Sequence, residues 1–174
     1  MSGWKTLEEL YALYYDEIFR YLLQRTRKRE LAQDLTQDTF LKAFNGLTSF
    51  KGKSSIKTWL YTIAHNTFIN WYRRETKYSN YSLEETYSLE QKIYENPEHV
   101  IEKKAEQAEM MKAIQFLKED FQAVLILRQY QELTYEEIAE VLGWKLSKVK
   151  TNLHRAKLEL RKQLLKQEGD RNEM

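Results

Sequence analysis

Seven basic side chains, Lys145, Lys148, Lys150, Arg155, Lys157, Arg161 and Lys162, fall between Trp144 and Lys162 with a single acid, Glu159, among them. Lys and Arg at this density neutralise phosphates, and an arginine and a threonine near the centre can hydrogen-bond base edges in a DNA groove. The elements needed to aim them lie just upstream. Thr134 and Glu137 have the T-x-x-E spacing of a capping box, Gly143 follows a predicted helix end at Leu142, and Ser147 is placed to cap the next helix. Two helices joined by so short a turn predict a helix-turn-helix. In the second of them Val149, Leu153, Ala156 and Leu160 share a stripe that predicts the buried side. Thr151, His154 and Arg155 then face outward with Lys148 and Lys150 on the flanks, as a major-groove face. A solvated basic helix in an ordinary bundle is the bland alternative. The capping box, the glycine and the polar outward face together favour DNA.

The N-terminal half offers two further surfaces. In the helix containing RELAQDLTQDTFLKAF the residues Leu31, Leu35, Phe40, Ala43 and Leu47 predict a buried face, while Asp34, Asp38, Leu41 and Asn45 point outward. Two aspartates at i, i+4 repel by roughly 0.2–0.5 kcal/mol in an isolated helix. A docking surface for a basic helix accounts for them and for the outward leucine, and a merely solvated face is the alternative. In FKGKSSIKTWLYTIAHNTFINWYRR the stripe Ile56, Trp59, Leu60, Ile63, Thr67 and Trp71 reads as packing. Thr62, Asn66 and Arg73 share the exposed side with Tyr61 and His65 beside it, after a loop holding Lys51, Gly52, Lys53, Ser54 and Ser55. A basic loop next to aromatics and amides suits unpaired bases, by stacking and by hydrogen bonds to their edges.

Other chemistries find little support. There is no cysteine, so neither a disulfide framework nor a thiolate metal site can form, and the chain reads as intracellular. His65, His99 and His154 are scattered, without the spacing of a metal-binding helix, so no metal, cofactor or catalytic residue is expected. No signal peptide is evident and the longest apolar run, Ala123 to Leu127, is far too short to span a bilayer, which predicts no direct membrane insertion.

Five glycines and one proline in 174 residues leave little turn chemistry for sheets, and 42% hydrophobic residues suffice for one domain or two small ones. The prediction is an all-α protein with helices at about 6–27, 29–46, 55–74, 100–117, 120–131, 134–142 and 147–167. Net charge is +4 over residues 1–75, −4 over 76–120 and +2 over 121–174. Residues 76–99, rich in Ser, Tyr, Asn and Glu and holding Pro97, read as a flexible linker between a domain at 1–75 and another at 100–174. At roughly 3.3–3.6 Å per residue this linker reaches about 80 Å, some two turns of duplex DNA.

DLTQDTFLKAF, SFKGKSSIKTWLYTIAHN and LTYEEIAEVLG followed by VKTNLHRAKLELRK, in that order and at those separations, resemble the polymerase-binding and promoter-reading segments of bacterial sigma factors of the small extracytoplasmic-function (ECF) type. The resemblance implies two helical domains, regions two and four. By it, Asp34, Leu35, Gln37, Asp38 and Leu41 contact the β′ clamp helices of core RNA polymerase. Phe50, Lys51, Gly52, Lys53, Ser54, Ser55 and Asn66 capture a flipped base of the minus-ten element. Lys148, Lys150, Thr151, His154 and Arg155 read the minus-thirty-five element, and region four also binds the β flap. The resemblance further implies a cytoplasmic protein, monomeric when free and controlled by an anti-sigma factor, which in many such systems sits at the inner face of the membrane. Lys53 stands where many relatives carry an acid, which alters the expected base preference of the minus-ten pocket; Lys148 replaces a frequent glycine and Asn152 a frequent arginine, so the minus-thirty-five sequence cannot be carried over. The competing reading is a free-standing helix-turn-helix regulator whose N-terminal half senses a ligand or dimerises.

Overall fold

Helix starts and stops follow local chemistry closely. Thr6 accepts a hydrogen bond from the Glu9 amide (3.2 Å) and opens α1, Leu7–Thr26, whose first turn carries Glu8 and Glu9 at the positive end of the helix dipole. Arg27, with φ of 59°, closes it in the left-handed conformation. After the short corner come α2, Arg29–Gly46, a 3-10 turn at Leu47–Ser49 and α3, Ile56–Tyr78. Ser55 receives the Thr58 amide (3.1 Å) at the start of α3. The C-terminal half holds α4, Val100–Gln115, α5, Glu119–Leu125, a π-helical turn at Ile126–Tyr130, α6, Tyr135–Leu142, and α7, Leu146–Asn172. The computed structural model describes residues 6–78 and 100–174, all of whose regular elements are helical.

The predicted helices are therefore present, although α4 stops at Gln115 and α7 runs on to Asn172, past its expected end at 167, and three further revisions apply. Helix α3 continues to Tyr78, three residues into the segment read as linker, and the remainder of that segment, His99 included, lies outside the described residues. Helix α5 gives way to the wider π turn instead of running on as one α-helix. Helix α7 begins at Leu146, and Lys145 occupies the capping position without a side-chain bond, so Ser147 lies inside the first turn and is not its cap.

Two bundles result, α1–α3 and α4–α7, and they do not stand apart. Leu10, Ile18, Leu22, Leu35, Phe40, Leu60 and Phe68 from the first are continuous with Ile114, Val124, Leu127, Ile138, Val149 and Leu153 from the second in one buried cluster. Helix α3 packs on α6, and α1 on the π turn. Polar groups bridge the seam. The Arg25 guanidinium, stacked 4.4 Å over the Phe68 ring, is ion-paired with Glu119. Tyr61 donates its hydroxyl to Gln131 Oε1 (2.7 Å), and Gln131 Nε2 donates to Gln24 Oε1 (2.6 Å). Arg27 Nη2 donates to the Met111 carbonyl (3.0 Å).

This packing overturns one part of the sequence reading. Tyr61, at 1% exposure, and His65 are buried instead of flanking an open face, because Tyr21 of α1 packs against both and Gln131, just past the π turn, bonds the Tyr61 hydroxyl. His65 Nδ1 lies 3.2 Å from the Tyr21 hydroxyl, and burial, with Arg25 and Arg73 nearby, pushes its pKa down to about 3. The unfolded chain takes up a proton near pH 6.5 that the fold refuses until about pH 3, so stability falls as pH drops through that window. The slope reaches at most about 1.4 kcal/mol per pH unit. Urea titrations of the wild type and of His65→Gln between pH 7 and 4 should show a steeper acid loss in the wild type.

Candidate nucleic-acid and partner faces

The helix-turn-helix is built on the bonds its sequence calls for. Thr134 Oγ1 accepts from the Glu137 amide (3.1 Å) while Glu137 Oε2 accepts from the Thr134 amide (2.8 Å), completing the capping box. Arg128 sets the approach to it, donating to the Leu133 carbonyl (2.9 Å) and lying 4.7 Å from the centre of the Tyr135 ring. Gly143, φ 68°, ends α6 in the left-handed region and sends the chain into α7 through Trp144 and Lys145.

Along α7, Val149, Leu153 and Ala156 are buried and Leu160 is half-buried. Lys148, Lys150, Thr151, His154 and Arg155 are all exposed, and Thr151, Arg155 and Lys148 line a shallow groove with Trp144, Lys145 and Asn152. Lys148 Nζ lies 4.3 Å over the Trp144 ring, which holds that cation at the mouth of the groove. Asn152 donates to the Lys148 carbonyl (2.9 Å), so its amide group is engaged with its own helix. A basic, unobstructed helix face with one arginine and one threonine at its centre can place phosphates and read base edges.

On α2, Asp34, Gln37, Asp38 and Leu41 stand exposed on one side, Leu41 at 61%. Leu35 does not join them: it is buried at 4%, because its position belongs to the apolar stripe that packs on α1 and α3, and it supports the face from beneath. Gln37 donates to the Tyr11 hydroxyl (3.2 Å), which ties the surface to α1. The sequence reading passed over Phe44, 56% exposed and one turn beyond Leu41, which extends the face as an acidic and apolar strip. Its spacing to Leu41 was the available signal. Asp38, Leu41, Lys42 and Asn45 also share a cleft with Asn70, Arg73 and Arg74 of α3, so the strip borders a basic rim.

The loop before α3 divides by role. Lys51, Gly52 and Lys53 are exposed, Gly52 in the left-handed region with φ of 69°, and Ser54 is half-buried. Phe50 packs on Trp59, ring centroids 4.9 Å apart, and Trp59 in turn lies against Gly46, where a side chain would meet it at 3.2 Å. Ser55 is occupied in capping α3 and in bonding Thr58. Asn66 is exposed, but ten residues along α3, about 15 Å from the loop by helical rise. It lines a cavity of about 410 Å³ with His65, Arg73, Glu119, Asp120 and Trp144, between the two bundles. Among the described residues there is no cluster of three or more His, Cys, Asp or Glu that could hold a metal, and no helix is long and apolar enough to cross a membrane.

Comparison with known proteins bears on both bundles. Residues 10–78 match the family Sigma-70 region 2, and residues 107–160 match Sigma-70, region 4. The chain is 54% identical over 161 residues to RNA polymerase sigma factor YlaC of Bacillus subtilis (strain 168), covering 92% of this chain and 93% of that one. It is 31% identical to ECF RNA polymerase sigma factor SigM of the same organism, over 90% of this chain and 93% of the relative. In fold it is similar to the sigma factor RpoE solved in complex with the anti-sigma factor NepR from Bartonella quintana, with a TM-score of 0.70 at 24% identity over 91% of this chain and 96% of that chain.

The turn itself is open to test. A Cβ at Gly143 would meet nothing within 4 Å, so Gly143→Ala carries backbone strain alone, roughly 1–2 kcal/mol. Chemical denaturation should show that loss, and a smaller one for Gly143→Asn, since asparagine tolerates the left-handed region.

Proposed function

Because the chain belongs to the sigma factors of bacterial RNA polymerase, of the extracytoplasmic-function type, we propose that its separate faces divide the work of promoter-directed initiation. The strip on α2 formed by Asp34, Gln37, Asp38, Leu41 and Phe44 docks core RNA polymerase at the β′ clamp helices, with Leu35 as its support. Lys51, Gly52, Lys53 and Asn66, on a loop and helix braced by Phe50 and Ser55, engage the unpaired strand of the minus-ten element. Lys148, Lys150, Thr151, His154 and Arg155 read the minus-thirty-five element as duplex. The same C-terminal bundle binds the β flap. The protein performs no covalent chemistry in this scheme; it supplies a sequence address, acts from the cytoplasm, is a monomer when free and answers to an anti-sigma factor.

The observation that carries the reading is the outer face of α2. Two carboxylates one turn apart repel each other, and the exposed leucine and phenylalanine that follow them on the same helix hold apolar surface in water. A basic helix with an apolar stripe laid against them relieves both. In a free-standing regulator, the competing reading, self-association through this face would set the like charges of two copies against each other.

Pull-down of core RNA polymerase tests the docking face. The wild type should retain the enzyme and the Asp34→Lys, Asp38→Lys double variant should lose it while keeping its helical circular dichroism; retention by both would remove the face from the scheme. For the C-terminal reader, Arg155→Ala should cost about 1–3 kcal/mol of discrimination between matched and mismatched minus-thirty-five duplexes. A loss equal on all sequences would make Arg155 a phosphate contact.

A further inference from the structure

Among the described residues Lys148 makes no ion pair; its Nζ lies 4.3 Å over the Trp144 ring instead. The two kinds of partner leave a lysine in different states. A carboxylate steadies the ammonium by cancelling its charge, as Glu159 does for Lys162 farther along α7 (3.2 Å). An indole face attracts it through the ring quadrupole and leaves the charge in place. A cation held in this way is fixed, yet still able to meet an anion from outside the protein.

The support is itself rigid. The Trp144 amide donates to the Ala139 carbonyl (2.9 Å) where α6 ends, and its half-buried side chain packs on the core cluster. Trp144 precedes α7 and Lys148 lies in the first turn of that helix, so the ring draws the ammonium back over the turn. Thr151 and Arg155 line the same groove about one and two turns farther along. The groove therefore has a steadied point charge at its mouth and a hydroxyl and a guanidinium beyond it. A point charge suits a phosphate oxygen, while the hydroxyl and the guanidinium fork suit base edges. A lysine on its flexible stem loses rotamer entropy in any fixed contact, and one already seated on a ring has lost part of it before DNA arrives.

We propose that Trp144 is a positioning residue for recognition of the minus-thirty-five element: it holds the Lys148 ammonium as a fixed point charge on one phosphate of the duplex, and that contact sets the register in which Thr151 and Arg155 meet the bases. The proposal rests on the minus-thirty-five role assigned to α7 above and narrows the part of Lys148 within it from reading bases to holding the backbone.

The test uses core RNA polymerase carrying the full chain, on promoter duplexes that differ only in the minus-thirty-five element, with binding measured between about 50 and 200 mM salt. Lys148→Ala should weaken binding equally on every sequence and flatten the dependence of log K on log salt by about 0.9, the share of one phosphate. Trp144→Leu should weaken it roughly two- to fivefold, again on every sequence, and Trp144→Phe, which keeps a ring of weaker attraction, by less. On the Lys148→Ala background Trp144→Leu should cost nothing further, which a purely structural role of the indole would not produce. Should Trp144→Leu lose its helical circular dichroism, the same cycle is run with Trp144→Phe, whose smaller loss must likewise vanish on that background. A sequence-dependent loss or an unchanged salt slope for Lys148→Ala, an equal cost of the Trp144 change on both backgrounds, or no advantage of phenylalanine over leucine overturns the proposal. If Arg155→Ala, Lys148→Ala and Trp144→Leu all bind every duplex as the wild type does, the minus-thirty-five role of α7 falls with it.

Discussion

A guanidinium removed from water must be answered by an anion, and Arg25 is answered from the far half of the chain. Its side chain is fully buried between the Phe68 ring and Glu119, which opens α5. Removing one partner of such a pair leaves a charge uncompensated at a cost of several kcal/mol, so the position of α5 against α1 is fixed by electrostatics as much as by packing. Much of the seam follows from that placement. With Glu119 of α5 against Arg25 of α1, Gln131 reaches both Tyr61 and Gln24, and His65 is sealed in as a neutral ring.

Outside the seam the molecule keeps apolar surface it does not bury. Leu41 and Phe44 stand on α2, and Phe116, Leu158 and Leu165 surround a groove on the C-terminal bundle edged by Lys118, Arg155, Arg161 and Lys162. Exposed patches of this kind mark surfaces that meet other macromolecules. The two patches differ in the charges around them, acidic on α2 and basic on α7, which sets different requirements for whatever covers each.

Helix limits were legible where an end carries its own chemistry, as at Thr134 with Glu137 and at Gly143 in the left-handed region, whereas Lys28, Lys118 and Lys145 open α2, α5 and α7 with no side-chain bond. The groove face of α7 was legible for a related reason, since a stripe of Val149, Leu153 and Ala156 leaves only one side for Thr151, His154 and Arg155. Periodicity on one helix says which side is buried; it does not say what buries it. Tyr61 and His65 were read as exposed because their cover comes from Tyr21 of α1 and, for Tyr61, also from Gln131, 70 residues away in sequence. Arg25 left a trace that could have been followed: it falls on the stripe of Ile18, Tyr21 and Leu22, and a cation on an apolar stripe requires a partner brought by another element. Leu35 shows the opposite error, a residue inside the stripe counted also among the contacts.

The π turn at Ile126–Tyr130 has a consequence in genetic terms. Its closing bond runs from the Gln131 amide to the Ile126 carbonyl (3.1 Å), five residues back, so the turn carries one residue more than an α-helix of the same span. Glu132, with φ of 56°, follows it directly. Loss of a single codon here would restore regular helical pitch and rotate everything beyond it by about 100°. Gln131 would swing away from Tyr61 and Gln24, and α6 and α7, which pack on α3 and α5, would be turned out of register with them, so the seam and the seating of the reading helix both depend on that one extra residue.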